Sequence, residues 1–482
     1  MKKFKGWIIL VVALFNVFTL AVVHGQIVNA QNMTELQNQI QLGGNASVIV
    51  EYANNLGNAS SMHSLGEQRL RDNISSLQQR FVSSLSSSMK NGIDHTYDYV
   101  PAAVMTVDAA MLKELQSNPM VKGVHPNKML KPTLAESVDI VFRNNKSSSF
   151  DGSDWVVAVL DTGVDKNHSF LKIGASRKVV SEACYSGGGF NPSIFSEVDR
   201  LCPSNFEVTT ASGSGVHCTG YSGCDHGTHV AGIAAGNGTT FGGVAAGADI
   251  IAIQVFTGLN DVLGFDVCDG PFSCVRTFYS DLIKGLERVY ALRNTYNIAA
   301  VNMSLGGGLF SSACPNELPG LTSIINLLKQ ANIATVVASG NNGYNFNINF
   351  PACIPNAIAV GATENSDGKF TERAFYSNVN NLLDLYAPGS LIESSIPGNG
   401  FDFFSGTSMA APHVAGAFAV IRQAVPDATV DQILAVLKTV GPNVTASNIT
   451  RRRLDLRSAL TKLGVTEGDI SPILQLLLFD DE

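Results

Sequence analysis

The sequence predicts an α/β protein: a mainly parallel sheet covered by helices, preceded by a small α+β unit. Two observations carry this. From Asp139 onward, short apolar runs (Trp155–Leu160, Ile250–Phe256, Ala299–Leu305, Ala334–Ser339 and Ala357–Ala362) alternate with helical stretches at 226–236, 279–295 and 321–331. Runs that are apolar throughout belong to strands buried on both faces, and helices between them make the crossovers of a parallel sheet. Ahead of them, residues 26–134 hold no cysteine and show a strand–helix–strand–helix–strand order of their own.

Taken in order, residues 1–25 read as a cleaved signal peptide. Lys2, Lys3 and Lys5 precede an apolar run from Trp7 to Val23, and small residues follow near Gly25. Asn16 interrupts the run, which is short for a bilayer span. In the unit 26–134, Val48–Tyr52 reads as a strand and Leu65–Met89 as an amphipathic helix. Strand-like residues 97–107, a short helix Ala109–Leu115 and a last strand Val121–Leu130 complete a ferredoxin-like pattern. Pro132 and Thr133 mark a linker. In the main unit, 135–463, two stretches break the rhythm and read as surface loops: Ser181–Gly223, and Gly258–Cys274. Helices at Val430–Thr439 and Leu454–Leu460 close it, and 464–482 is a short tail with an acidic end.

The eight cysteines all lie between 184 and 353. An even, clustered count in an exported chain implies disulfides, and without a CxxC pair zinc is the weaker reading. Cys268–Cys274 is the one local pair proposed, because it closes a small loop containing Gly and Pro. With 40 acidic against 32 basic residues the net charge is −8, which argues against a nucleic-acid partner.

Chemistry concentrates in three segments. Asp161 ends the apolar run Trp155–Leu160, and sites in parallel sheets form beyond the carboxyl ends of the strands. His226 opens a small-residue helix, His226–Gly236. Ser408 opens another, in which Ala410, Ala411, Ala415, Gly416 and Ala417 permit close packing and Pro412 falls near the first turn. A lone Ser at a helix start is an ordinary cap. A serine nucleophile, however, needs a base, and the base needs an orienting carboxylate. Asp, His and Ser in this chain order follow the triad order of subtilisin. The segments Val159-Leu160-Asp161-Thr162-Gly163, His226-Gly227-Thr228-His229 and Gly406-Thr407-Ser408-Met409-Ala410 resemble the signatures of subtilisin-like serine proteases, and the resemblance spans Asp139 to Leu463.

That resemblance implies a subtilisin-like three-layer fold and a serine endopeptidase with Asp161, His226 and Ser408 as its triad, acting through an acyl-enzyme. It implies an oxyanion donor at Asn341, in Ala338-Ser339-Gly340-Asn341-Asn342-Gly343. It implies a substrate-binding strand at Ser304, Leu305, Gly306 and Gly307, faced by Ala338, Ser339 and Gly340. The unit 26–134 is similar to inhibitory propeptides of that family, so a self-processing precursor is expected, with cleavage between Met129 and Ala135. No cofactor is required. Structural calcium stays open, because Gly236–Gly242 is shorter than the family's calcium loop and carries no carboxylate. Expected partners are peptide or protein substrates and the chain's own propeptide, with no stable membrane association. A secreted (extracellular or periplasmic) monomer is expected. His229 and His413 read as packing residues. No acidic residue marks the pocket for a basic P1 side chain (the residue whose carbonyl is attacked). An α/β-hydrolase esterase is disfavoured, since there is no G-x-S-x-G and His precedes Ser. The alternative from another class is a catalytically silent relative that acts as a binding protein.

Overall fold

The computed structural model describes residues 30–53, 62, 64, 66–132, 150–188, 198–239, 241–260, 268, 273–365 and 370–466. The expected signal segment 1–25 and most of the tail, 467–482, lie outside the described residues.

The N-terminal unit carries a four-stranded antiparallel sheet in the order Ile93–Thr96, Ala102–Val107, Ala46–Tyr52, Val121–Pro126. Helix Glu67–Ser84 buries Leu70, Ile74, Leu77 and Phe81, one face of a 3.6-residue repeat. Helix Ala109–Ser117 is capped by Asp108, whose side chain accepts from Met111 N at 2.8 Å. An additional helix, Ala30–Gly43, had no clear sequence signal. The expected last strand Val121–Leu130 divides in two. Asn127 exchanges hydrogen bonds with Ser280, Nδ2 to Oγ and Oδ1 from the backbone N, both at 3.0 Å. These bonds turn the chain out of its own sheet, and Met129–Pro132 runs on into another.

The main sheet has eight strands in the order Val208–Thr209, Val179–Tyr185, Asp249–Gln254, Val156–Asp161, Ile298–Met303, Ala334–Ala338, Ala357–Thr363, Leu385–Pro388. All its pairings are parallel except that of the short edge strand Val208–Thr209. The stretch from Ser181, expected as loop, thus begins inside a strand. Ala183 and Cys184 are buried there, and Cys184 is bridged to Cys202.

Strand Val156–Asp161 shows how the layers form. Val156, Ala158 and Leu160 join one hydrophobic core with helices Tyr279–Leu292 and Pro319–Gln330. Val157 and Val159 join the other, with helices His226–Ala235 and Thr407–Ala424. Successive side chains of a strand point to opposite faces, so one apolar run supplies both cores.

The first core continues into the N-terminal unit, which docks on helix Tyr279–Leu292. Glu287 of that helix accepts from the backbone N–H of Tyr99 (2.6 Å), Val100 (3.1 Å) and Asp98 (3.3 Å).

Candidate active site

Asp161, fully buried at the end of its strand, accepts from its neighbour Thr162 N at 2.7 Å and pairs through the same Oδ1 with His226 Nδ1 at 2.7 Å. A carboxylate only accepts, so this contact assigns the hydrogen to Nδ1 and leaves Nε2 as the basic nitrogen. Nε2 is buried and has no hydrogen-bond partner among the described residues. The turns bearing the two residues are pinned together. Cys218 N donates to Thr162 O at 3.0 Å, and the Cys218–Cys224 disulfide closes the loop just ahead of His226. Glycine is required where the turns touch, since a Cβ on Gly227 would lie 2.3 Å from Gly163 O.

Ser408 is the second residue of helix Thr407–Ala424, in the turn whose amides point out of the helix end. The helix packs on His226–Ala235 so closely that a Cβ on Gly416 would lie 2.7 Å from Ala234 O. Ser408 Oγ donates to Ser304 O at 3.0 Å, and Ser304 Oγ donates back to Ser408 O at 2.7 Å. Pro412, expected near the first turn, is the sixth residue of the helix. Having no N–H, it leaves the carbonyl four residues back, that of Ser408, for Ser304 to use. Asn302 Nδ2 in turn donates to Ser304 Oγ at 2.9 Å.

Asn341 follows strand Ala334–Ala338. Its Oδ1 accepts from Thr407 N (2.9 Å) and Thr407 Oγ1 (2.8 Å), while its buried Nδ2 has no partner among the described residues. The residue before the serine therefore fixes the amide with its N–H2 end as the free donor. Gly340 N donates to the same threonine oxygen at 3.1 Å. Ser339, buried beside the buried Ala338, donates from Oγ to Asn378 O at 3.1 Å. Asn378 Oδ1 accepts from Asn342 N (3.1 Å) and Tyr344 N (3.0 Å), holding this loop in shape. Thr407 and Asn378 were not singled out from sequence. Thr407 adjoins the serine motif, but Asn378 lies in a segment without one.

The cleft already holds a strand. Met129–Pro132 lies antiparallel between Leu305–Phe310 and Cys274–Phe278. Pro132 is opposite Leu305, Lys131 opposite Gly306, Leu130 opposite Thr277 and Met129 opposite Phe278. The Leu130 side chain covers Gly307, where an added Cβ would lie 3.1 Å from Leu130 Cδ2. Of the expected cleavage window, residues 133–135 lie outside the described residues. The far wall, Cys274–Phe278, begins at the last residue of the stretch expected as a surface loop, Gly258–Cys274. The Cys268–Cys274 bridge proposed there is formed, as is Cys314–Cys353.

His229 and His413 are buried away from this chemistry. His229 Nε2 bonds Asp402 O at 3.0 Å with its ring stacked on Phe404, and His413 Nδ1 bonds Met409 O at 2.7 Å. Burial pushes His229 down to about 3 and His413 down to about 4, so both are neutral packing groups.

The subtilase family profile matches residues 152–454, which contain Asp161, His226, Ser304, Asn341 and Ser408. The chain belongs to the subtilase family. It is 30% identical to subtilisin NAT of Bacillus subtilis subsp. natto over 446 residues, 90% of this chain and 92% of that protein. It is 33% identical to subtilisin BL of Lederbergia lenta over 300 residues, 62% of this chain and 87% of that one. The fold resembles that of fervidolysin from Fervidobacterium pennivorans (TM-score 0.57, 20% identity), covering 86% of this chain and 61% of fervidolysin. This subtilase is a serine endopeptidase, and its substrates are peptides or proteins. No helix among the described residues is long and apolar enough to cross a membrane.

Proposed function

We propose that this subtilase is a secreted monomer, made as a precursor that cuts itself, with Asp161, His226 and Ser408 as triad. The observation that carries the reading is the buried 2.7 Å Asp161–His226 contact, which leaves Nε2 unpartnered on the helix packed against that of Ser408. Ser408 Oγ turns from Ser304 O, gives its proton to His226 Nε2 and attacks the substrate carbonyl carbon. Asp161 steadies the imidazolium that forms. Asn341 Nδ2 and the Ser408 amide donate to the oxyanion. His226 returns the proton to the leaving amine, and water then releases the acyl group by the same steps. Ser304, Leu305, Gly306 and Gly307 pair with the substrate as an added strand, opposite Cys274–Phe278. Ala338, Ser339 and Gly340 form the facing wall.

Residues 26–133, one short of the boundary expected from the sequence, act as propeptide and inhibitor, and Met129–Pro132 in the cleft supports this, since it uses the bonds a substrate would need. Pro132 opposite Leu305 is the last described residue before the chain reaches Ser304, whose carbonyl accepts from Ser408 Oγ, so the bond taken to be cut is Thr133–Leu134. Four disulfides joining all eight cysteines, with the leader-like residues 1–25, support secretion.

The mechanism needs no metal, and the loop 236–242 does not fit the family's calcium. It carries no carboxylate, and Phe241 packs on Phe170 (4.8 Å) and Phe401 (5.3 Å). Lys178 directs its ammonium at the carbonyls of Ala235 and Ala246 beside it.

The test is expression of the full chain, with N-terminal sequencing of the product and turnover of a peptide anilide. The unaltered protein should begin at Leu134, and Ser408→Ala should remain joined. Alanine at any triad position should remove nearly all turnover, and double variants should lose little more. A Ser408→Ala chain cut at the same bond with no other protease present would falsify self-processing.

A further inference from the structure

We propose that Asn448, at the tip of the hairpin 443–452, is a covalent modification site that carries an N-linked oligosaccharide in the mature protease. The inference rests on the secretion reading above and assigns a site remote from the cleft.

Two sequons lie in this hairpin, Asn443-Val444-Thr445 and Asn448-Ile449-Thr450. An Asn with Ser or Thr two residues on is the acceptor pattern for oligosaccharide transfer in a secretory lumen. Strands Asn443–Ala446 and Ile449–Arg452 pair antiparallel, with Ala446 opposite Ile449 and Thr445 opposite Thr450. The two residues left between them, Ser447 and Asn448, sit at φ 52° and 63°, the left-handed pair of a tight hairpin turn. Asn adopts that conformation more readily than other residues with a side chain, and at the tip it is exposed. Beyond the turn, the alternation of a strand sorts the side chains. Ile449 (8% exposed) and Val444 (0%) join the hydrophobic core, while Thr450, Thr445 and Asn443 stand outside. The two threonine hydroxyls meet at 2.9 Å on that outer face. Both ends of the Asn448 sequon are therefore open to solvent, and only its middle residue serves the fold.

A sugar stays on a folded chain only where the fold leaves it room. Asn302-Met303-Ser304 has the same pattern, but Asn302 and Ser304 are buried, and Asn302 Nδ2 donates to Ser304 Oγ at 2.9 Å. Asn237, in Asn237-Gly238-Thr239, is half-buried, and its Nδ2 donates to Lys172 O at 3.3 Å. The hairpin 443–452, by contrast, is fixed by its inner strand alone. Arg451 Nη2 donates to Asn381 O at 2.8 Å, and Leu454 N, just beyond, donates to Tyr386 O at 2.7 Å. Tyr386 belongs to Leu385–Pro388, the last strand of the main sheet. That strand is four places from Val156–Asp161, about 19 Å at the usual strand spacing. An oligosaccharide on Asn448 thus projects from the edge of the sheet rather than over the triad, and it screens that edge from pairing with another chain. In the transfer, Asn448 Nδ2 displaces a lipid-linked diphosphate from the first sugar of a preassembled oligosaccharide. The N–C bond forms, the C–O bond to the diphosphate breaks, the diphosphate takes the electron pair, and Nδ2 gives up one proton.

The experiment secretes the full chain from cultured insect cells and maps the peptides of the exported protein by mass, before and after peptide-N-glycosidase. The peptide spanning the turn should be absent in its unmodified form, and after digestion it should appear with aspartate at position 448. Asn448→Gln and Thr450→Ala should each lose the sugar, and Thr450→Ser, which keeps the sequon, should retain it. All three should cut a peptide anilide at the parent's kcat/KM. Exported parent protein whose peptide carries unmodified Asn448 overturns the proposal, whether or not the variants fold. So does a Thr450→Ala protein as fully modified as the parent, since the sequon would then not direct the transfer. A chain that stays inside the cells overturns the secretion reading, and this proposal with it.

Discussion

Replacing Glu287 by Ala should loosen the grip of the propeptide on the mature protease. In the precursor this one carboxyl accepts three backbone N–H groups of the N-terminal unit, from Asp98, Tyr99 and Val100. The latter two lie in buried surroundings. In the separated unit, water satisfies the same donors. Docking against the Glu287→Ala surface would leave at least the Tyr99 and Val100 donors without their acceptor. A stranded buried donor costs about 1–3 kcal/mol, and water entering the vacated space recovers part of it. A net loss of about 2–4 kcal/mol corresponds to about 30- to 1000-fold weaker docking. The assay titrates the mature protease with separately produced residues 26–133 and follows hydrolysis of a peptide anilide. An inhibition constant within about threefold of the parent's would refute the idea that Glu287 anchors the propeptide.

Four further outcomes follow from the same structure. Burial pushes Glu287 up to about 7 in the docked state, against the pull of Lys284 and of the Tyr99 N–H. Undocked and solvated, it titrates in the ordinary range near 4.3, so the docked form holds the extra proton. The contribution is complete below the ordinary range and is lost as pH rises through about 7, so propeptide inhibition should weaken between pH 5 and 8. A flat profile, or one as steep in Glu287→Ala, counts against it. Asn341→Ala should lower kcat by about 10²–10³-fold, a range taken over from subtilisin, with KM little changed. Thr407→Val should lower kcat in the same direction by releasing the amide, and a Thr407→Val enzyme of normal kcat would dismiss that positioning role. Phe170→Ala, at a ring only 2% exposed and packed on Phe241 and Phe401, should cost about 3–5 kcal/mol in thermal unfolding. A chelator should add nothing to that loss, and a chelator that alone lowers the Tm as far would show that calcium supports this loop.

The sequence by itself determined the layered α/β fold. Its strands are apolar runs buried on both faces, a local signal that tertiary context reinforces rather than overrides. It also located Asp161, His226, Ser408 and Asn341, because each sits in a motif whose glycines and small residues serve a local turn or a close helix. What only the tertiary structure decided depends on contacts between distant segments. The split of Val121–Leu130 follows from Asn127 meeting Ser280, 153 residues on. Pro412 is tolerated inside its helix because Ser304, 104 residues before Ser408, takes up the carbonyl it leaves. Asn378 carries no motif, and its role exists only where its segment meets the loop that follows strand Ala334–Ala338. Periodicity and spacing report what a residue does for its own helix or strand. They are silent about a polar side chain whose partners arrive from elsewhere, since its hydrogen bonds are fixed by the packing that brings those partners near.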